Sequence, residues 1–193
     1  MTVVHSYDPP ERFVAGTVGP PGERTFFLQA RTGPRMTSVA LEKQQVSVLA
    51  ERIDDLLDEL MRADEDESVI PALPPVDLLD SDPLETPIVE EFRAGTMTLS
   101  WDPRDQRVVV EVFPIMELDP EEDDDADPSL AIEEPQYDEV FTVRLTAGLA
   151  RAFSKRALDI VSSGRPPCPF CGSPLDASGH LCPRANGFRR TRL

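Results

Sequence analysis

Three apolar-rich runs bounded by turn residues, Arg12 to Val18, Thr25 to Arg31 and Met36 to Leu41, read as strands. PPGER separates the first pair and TGPR the second. Both supply turn residues, so the runs predict an antiparallel meander after a short polar lead. From Glu42 the period changes to 3.6: Val46, Leu49, Ile53, Leu56, Leu57 and Leu60 share one stripe, with Glu51, Arg52, Asp55, Asp58 and Glu59 largely on the wet side. The stripe lasts fewer than three heptads, which predicts a helix packed on the sheet rather than a coiled coil.

The pattern lapses over 64–87, where DEDE and PALPPVDLLDSDPLETP are too rich in acid and proline for regular structure. This stretch reads as a connection, with Val76, Leu78 and Leu79 as its candidates for docking. Strand periodicity returns at Val89 to Trp101, Arg107 to Glu117 and Tyr137 to Leu145. Thr146 then caps a helix through Leu149, Phe153, Ala157, Ile160 and Val161 that stops at Gly164. Between the last two strands lies an acidic loop, 119–135, whose crowded carboxylates must stay solvated.

Three strands followed by a helix thus occur twice. The first strands of the two sets share five of eight letters, ERFVAGTV against EEFRAGTM, which points to an internal duplication. The expected fold is α+β. Duplicated βββα units form antiparallel sheets with two helices around a pseudo-two-fold axis, followed by a small zinc-ribbon-like tail. The expected divisions are a first half at 1–63, the connection at 64–87, a second half at 88–163 and the tail at 164–193. Gly16 and Gly95, each following Phe-x-Ala within a strand, mark a bulge or a close backbone approach in preference to a ligand lying against them.

Charge divides the chain. The net charge is −17. Eight basic and two acidic residues give the stretch from Arg151 a charge of +6, leaving −23 on 1–150. An acidic body repels nucleic acid, while a basic tail suits an anionic surface or the body itself. No apolar run is long enough for a membrane helix, and the start lacks a signal-peptide layout, so a cytoplasmic protein is expected.

All three cysteines fall in PPCPFCGSPLDASGHLCPRANGFRRTRL. Cys168-Pro-Phe-Cys171-Gly172 has the form of a zinc knuckle, its glycine letting the chain turn so that amides face the sulfurs. His180 and Cys182 complete a Cys₃His set that suits tetrahedral Zn²⁺ and leaves no open position. The His-x-Cys spacing is tighter than usual. A redox dithiol would need a helix starting at the first cysteine, which Pro166, Pro167 and Pro169 oppose, and three cysteines cannot all pair as disulfides. Phe170, Leu175, Leu181, Phe188 and Leu193 are too few to form a core, so the metal is expected to hold the tail together.

Catalytic signals are lacking: His5 sits near the start and His180 in the metal set, and no phosphate loop, nucleophile elbow or His-Glu-x-x-His helix is present. Trp101 and the Glu90–Glu91 pair read as packing and a charged rim.

Taken together, ERFVAGTVG, RTFFLQAR, LEKQQVSVLAERIDDLLDEL and CPFCGSPLDASGHLCPRANG resemble the actinobacterial domain-of-unknown-function family 3090 across essentially the whole chain. The resemblance implies no activity and carries over only the zinc ligands Cys168, Cys171, His180 and Cys182. The expected role is a non-enzymatic interaction or adaptor protein whose structural zinc presents a basic tail to a protein partner. The alternatives are RNA or other nucleic-acid binding through Arg184, Phe188, Arg189, Arg190 and Arg192, and an enzyme with its site between the halves.

Overall fold

A computed structural model describes residues 2–20, 22–63, 70–116, 136–164, 168–172, 175, 182 and 184. Its strands are β1 (Val3–Tyr7), β2 (Arg12–Val18), β3 (Thr25–Thr32), β4 (Arg35–Leu41), β5 (Glu90–Asp102), β6 (Arg107–Pro114) and β7 (Glu139–Leu145). Its helices are α1 (Lys43–Ala63) and α2 (Ala147–Ser162), with a short 3-10 turn at Val76–Leu78. The fold is α+β. No helix among the described residues is long and apolar enough to cross a membrane.

The seven strands form one mixed sheet in the order β1-β7-β6-β5-β4-β3-β2, rather than wholly antiparallel sheets. Both β4–β5 and β1–β7 are parallel pairs. At the junction the third strand of one set meets the first strand of the other. A two-fold axis would have placed equivalent strands side by side, so the sets follow one another across the sheet by translation instead. The crossover through α1 and 64–89 permits this, because a parallel pair needs a long connection.

The polar lead is a further correction. It forms β1, an edge strand hydrogen-bonded to a partner some 135 residues away, as Val3 N–H to the Asp138 carbonyl illustrates. Only Tyr7 of β1 is buried, so the run lacks a hydrophobic alternation that would announce it. His5 is consequently not on a loose terminus but lies 3.6 Å from Glu139 on the neighbouring strand.

The short link 8–11 dictates the shape of the sheet. Opposite edges of a flat seven-stranded sheet lie about 29 Å apart, yet the chain from Tyr7 to Arg12 reaches only about 18 Å. The sheet must therefore curl until its edges approach one another. Consistent with this, the Tyr7 hydroxyl is 2.8 Å from that of Thr37 on β4, and the Arg35 guanidinium lies 4.4 Å above the Tyr7 ring.

Both helices pack against the same face, and one core joins all seven strands: Phe13, Leu28, Val39, Val110, Phe141 and Leu145 meet Ile53, Leu57 and Phe153. Phe13 stacks on Phe153 at 4.5 Å between ring centroids and tilts against Phe141. The helices join through a buried cation. Arg151 of α2, 5% exposed, donates to Asp54 Oδ1 at 2.9 Å, to Asp58 Oδ1 and to the Pro71 carbonyl at 3.2 Å. Thr146 caps α2 by accepting from the Leu149 amide, as the sequence predicts. Ser154, fully buried on the same helix, has a hydroxyl without a hydrogen-bond partner. Ser154→Ala removes that desolvated group and is expected to stabilise the protein by about 1 kcal/mol, read as a melting point raised by roughly 2–4 °C.

The acidic, proline-rich connection is a belt. Ile70 is buried in the main core, and Leu78 and Pro75 lie beside Gly148 at the start of α2. The chain then passes the outer edge of β2 and crosses the opposite sheet face, where Leu84 and Ile88 pack on Val14, Phe27 and Ala40. Val76 and Leu79, expected to dock, are exposed instead.

Gln29 holds the belt to the sheet. Its side-chain amide donates to the Glu85 carbonyl at 3.1 Å, and its oxygen accepts the Glu85 amide at 2.8 Å, as a neighbouring strand would. A belt of this kind covers a sheet edge that would otherwise template unwanted pairing.

Both marked glycines are close approaches. A Cβ on Gly95 would meet the Pro114 carbonyl oxygen at 2.8 Å beside the irregular β5–β6 register, and one on Gly16 would run into the Leu84 side chain. The group against Gly16 is thus the protein's own belt. Gly16→Ala is expected to unseat Leu84 and cost about 2 kcal/mol in a denaturant melt. In the Leu84→Ala background the same change should cost much less, because the two side chains compete for one space.

Candidate metal centre

Gly164 follows α2, and the chain then carries the cysteines. Cys168 to Cys171 form a tight turn closed by the Gly172 amide donating to the Cys168 carbonyl at 2.8 Å. Gly172 sits at φ +77°, a left-handed conformation that explains the glycine after the second cysteine.

The Cys168, Cys171 and Cys182 sulfurs all lie within 4.8 Å of one another, close enough to hold a metal ion. The Cys168 and Cys182 sulfurs are 3.7 Å apart. That is far beyond the roughly 2.05 Å of a disulfide. It matches the edge of a tetrahedron with metal–sulfur bonds of about 2.3 Å, which is about 3.8 Å. Cys168 and Cys182 are buried and Cys171 is half-buried. The structure therefore brings a sequence-distant cysteine onto the Cys-x-x-Cys turn, as a shared ligand set requires.

His180, the fourth expected ligand, lies outside the described residues, as do Phe188, Arg189, Arg190, Arg192 and the acidic loop 119–135. Arg184 is described. It donates to the Phe170 carbonyl at 3.2 Å and so braces the turn between the cysteines. The Phe170 side chain projects into solvent, 61% exposed.

A second polar centre escaped the sequence reading. Where the belt passes β2, Asp80 accepts from Arg12 Nε at 2.6 Å and from Arg156 Nη1 at 2.6 Å. The same two arginines donate to the Asp82 carbonyl, and Arg156 Nε caps the outward Ala15 carbonyl of β2 at 2.9 Å. Hydrogen bonding from Arg12 holds the Asp80 carboxyl below the usual carboxylate range and raises the Arg12 pKa in turn. Burial lowers that of Arg156. The residues are 68 and 76 positions from Asp80, so no local spacing signals the cluster.

Beside this cluster, between belt and α2, lies an open crevice of about 670 Å³ lined in part by Gly16, Leu84, Ala152, Lys155 and Arg156. Among its charged groups Lys155 is engaged with Asp159 at 2.7 Å and Arg156 with Asp80. Asp80, held ionised, is a poor proton donor at neutral pH. The arrangement ties the belt to β2 and α2.

No curated protein and no solved structure matches the chain. One family model does match, that of the protein of unknown function DUF3090, over residues 5–182, from β1 to the last of the three cysteines. A match of that extent leaves little of the sequence outside it, and the chain belongs to the DUF3090 family.

Proposed function

We propose that this chain is a non-enzymatic interaction protein whose C-terminal segment is shaped by one structural zinc ion and offered to a protein partner. The observation that carries the reading is the sulfur triad: three cysteines, the whole complement of the chain, converge with a tetrahedral edge of 3.7 Å between two of them. Three thiolates favour zinc over harder cations, and His180 supplies the fourth ligand, closing the coordination shell so that the ion organises rather than catalyses. Reduced thiolate ligands suit the reducing cytoplasm.

The partner-facing elements are the exposed Phe170 and the basic residues from Arg184 onward, with Phe188, Arg189, Arg190 and Arg192. An aromatic group beside arginines is the composition of interface hot spots. Nucleic acid is disfavoured because the body is strongly acidic, and because Arg184 is engaged with the Phe170 carbonyl.

Protein purified without chelator should carry one equivalent of zinc by elemental analysis, and Cys171→Ser should lose it. A protein partner recovered in stoichiometric amount should be lost with both Cys171→Ser and Phe170→Asp, the latter still loaded with zinc. Metal-free wild-type protein, or a partner indifferent to both substitutions, would overturn the reading.

A further inference from the structure

We infer that the sulfur triad is also an oxidation site, at which a hydroperoxide expels the metal and joins two of the sulfurs. The inference rests on the zinc reading above and adds its regulation. Its basis is the inequality of the three thiolates. Cys168 and Cys182 are 5% and 6% exposed, whereas Cys171 is half-buried and is the sulfur that a small oxidant in solution reaches first. All three sulfurs lie within 4.8 Å, so a thiolate able to resolve the oxidised sulfur is already adjacent.

The chemistry balances with the peroxide as sole oxidant. The Cys171 thiolate attacks one peroxide oxygen, forming an S–O bond and breaking the O–O bond. The other oxygen leaves as hydroxide or alkoxide and takes a proton from water. Sulfur loses two electrons and the peroxide gains them, which leaves Cys171 as a sulfenic acid. A neighbouring thiolate, Cys168 or Cys182, then attacks the sulfenic sulfur, an S–S bond forms and hydroxide departs. One thiolate and one imidazole remain, too few to retain the ion.

The consequence is confined to the tail. Among the described residues the main core contains none from beyond Gly164, and the large apolar group of the knuckle, Phe170, projects into solvent. Loss of the metal therefore removes the shape of the tail without touching the sheet. Because the chain has no cysteine elsewhere, thiol oxidation has one destination within the molecule.

The test uses the full-length zinc-loaded protein, hydrogen peroxide, a chromogenic zinc indicator, and alkylation followed by intact-mass measurement. The expected result is release of one zinc per peroxide consumed. Alkylatable thiols should fall from three to one, and the protein should become lighter by two hydrogens, with reductant and zinc together restoring the starting state. Zinc-loaded protein that keeps its metal and all three thiols under a large excess of peroxide would overturn the inference while leaving the zinc reading standing. Conversion of the sulfurs to sulfinic acid without a disulfide would overturn it equally. Protein without zinc at the outset defeats the earlier reading and this one with it, at a step the assay distinguishes.

Discussion

Asp80→Ala is expected to lower the unfolding free energy by about 3 kcal/mol, because it leaves two largely buried guanidinium groups facing each other without their shared counter-ion. For a chain of this size that is a melting point depressed by roughly 6–12 °C. The side chains of Arg12 and Arg156 are only 12% and 11% exposed, so water cannot readily replace the carboxylate. Replacing all three charges together, Asp80 by Leu and both Arg12 and Arg156 by Met, should recover part of the loss, since an apolar cluster leaves no buried charge without a counter-ion.

The same residue gives the stability a definite dependence on pH. Asp80 has its pKa depressed in the folded state, chiefly by the hydrogen bond from Arg12. Its contribution is therefore fully present above the unfolded value of about 3.9 and disappears as the pH falls through the lower folded value. The wild-type denaturant midpoint should decline on acidification below about pH 4, and Asp80→Ala should flatten that decline. An unchanged profile in the variant would show that the belt is not held by this carboxylate. Asp102 works in the same direction, its pKa lowered mainly by the hydrogen bond from Arg144 at 2.8 Å.

Removal of the metal is expected to have the largest effect of all, confined to one segment. Binding of a structural zinc is worth on the order of 10–16 kcal/mol, and in a segment with few apolar groups that energy is folding energy. A strong chelator should make the bonds beyond Gly164 susceptible to protease and remove hydrogen-exchange protection around Cys168 to Gly172. The unfolding midpoint of the sheet and its helices should stay where it was, because the core residues of the seven strands and two helices are independent of the cysteines. A midpoint that fell with the tail would mean that the knuckle packs on the body. A protease pattern indifferent to the chelator would mean that metal does not shape the segment.

How much of this was legible depended on how far apart the interacting residues lie. The strands β2 to β7 and both helices announced themselves because their patterns are local: the β-branched run VVVEVF, the leucine stripe of α1, the threonine cap of α2. The belt did not, because its composition is that of a linker and its anchors are distant. Nothing in DSDPLE reveals that Asp80 meets Arg12 and Arg156, or that Leu84 fills the space left by Gly16. Strand β1 was missed for a related reason. Parallel pairing with β7 makes few demands on five residues of which one is buried.

By itself the sequence determined the order of the elements from β2 to α2, the α+β class, the two glycines of close approach, and the confinement of every cysteine to one short segment. Each is fixed by neighbours within a few residues, where periodicity, turn chemistry and spacing operate. The tertiary structure alone decided that the strands form a single curled mixed sheet, that an acidic connection is its belt, and that Asp80 pairs with Arg12 and Arg156. Those outcomes depend on contacts between remote segments, and such contacts follow from how the whole chain buries its apolar surface and pairs its charges rather than from any local pattern.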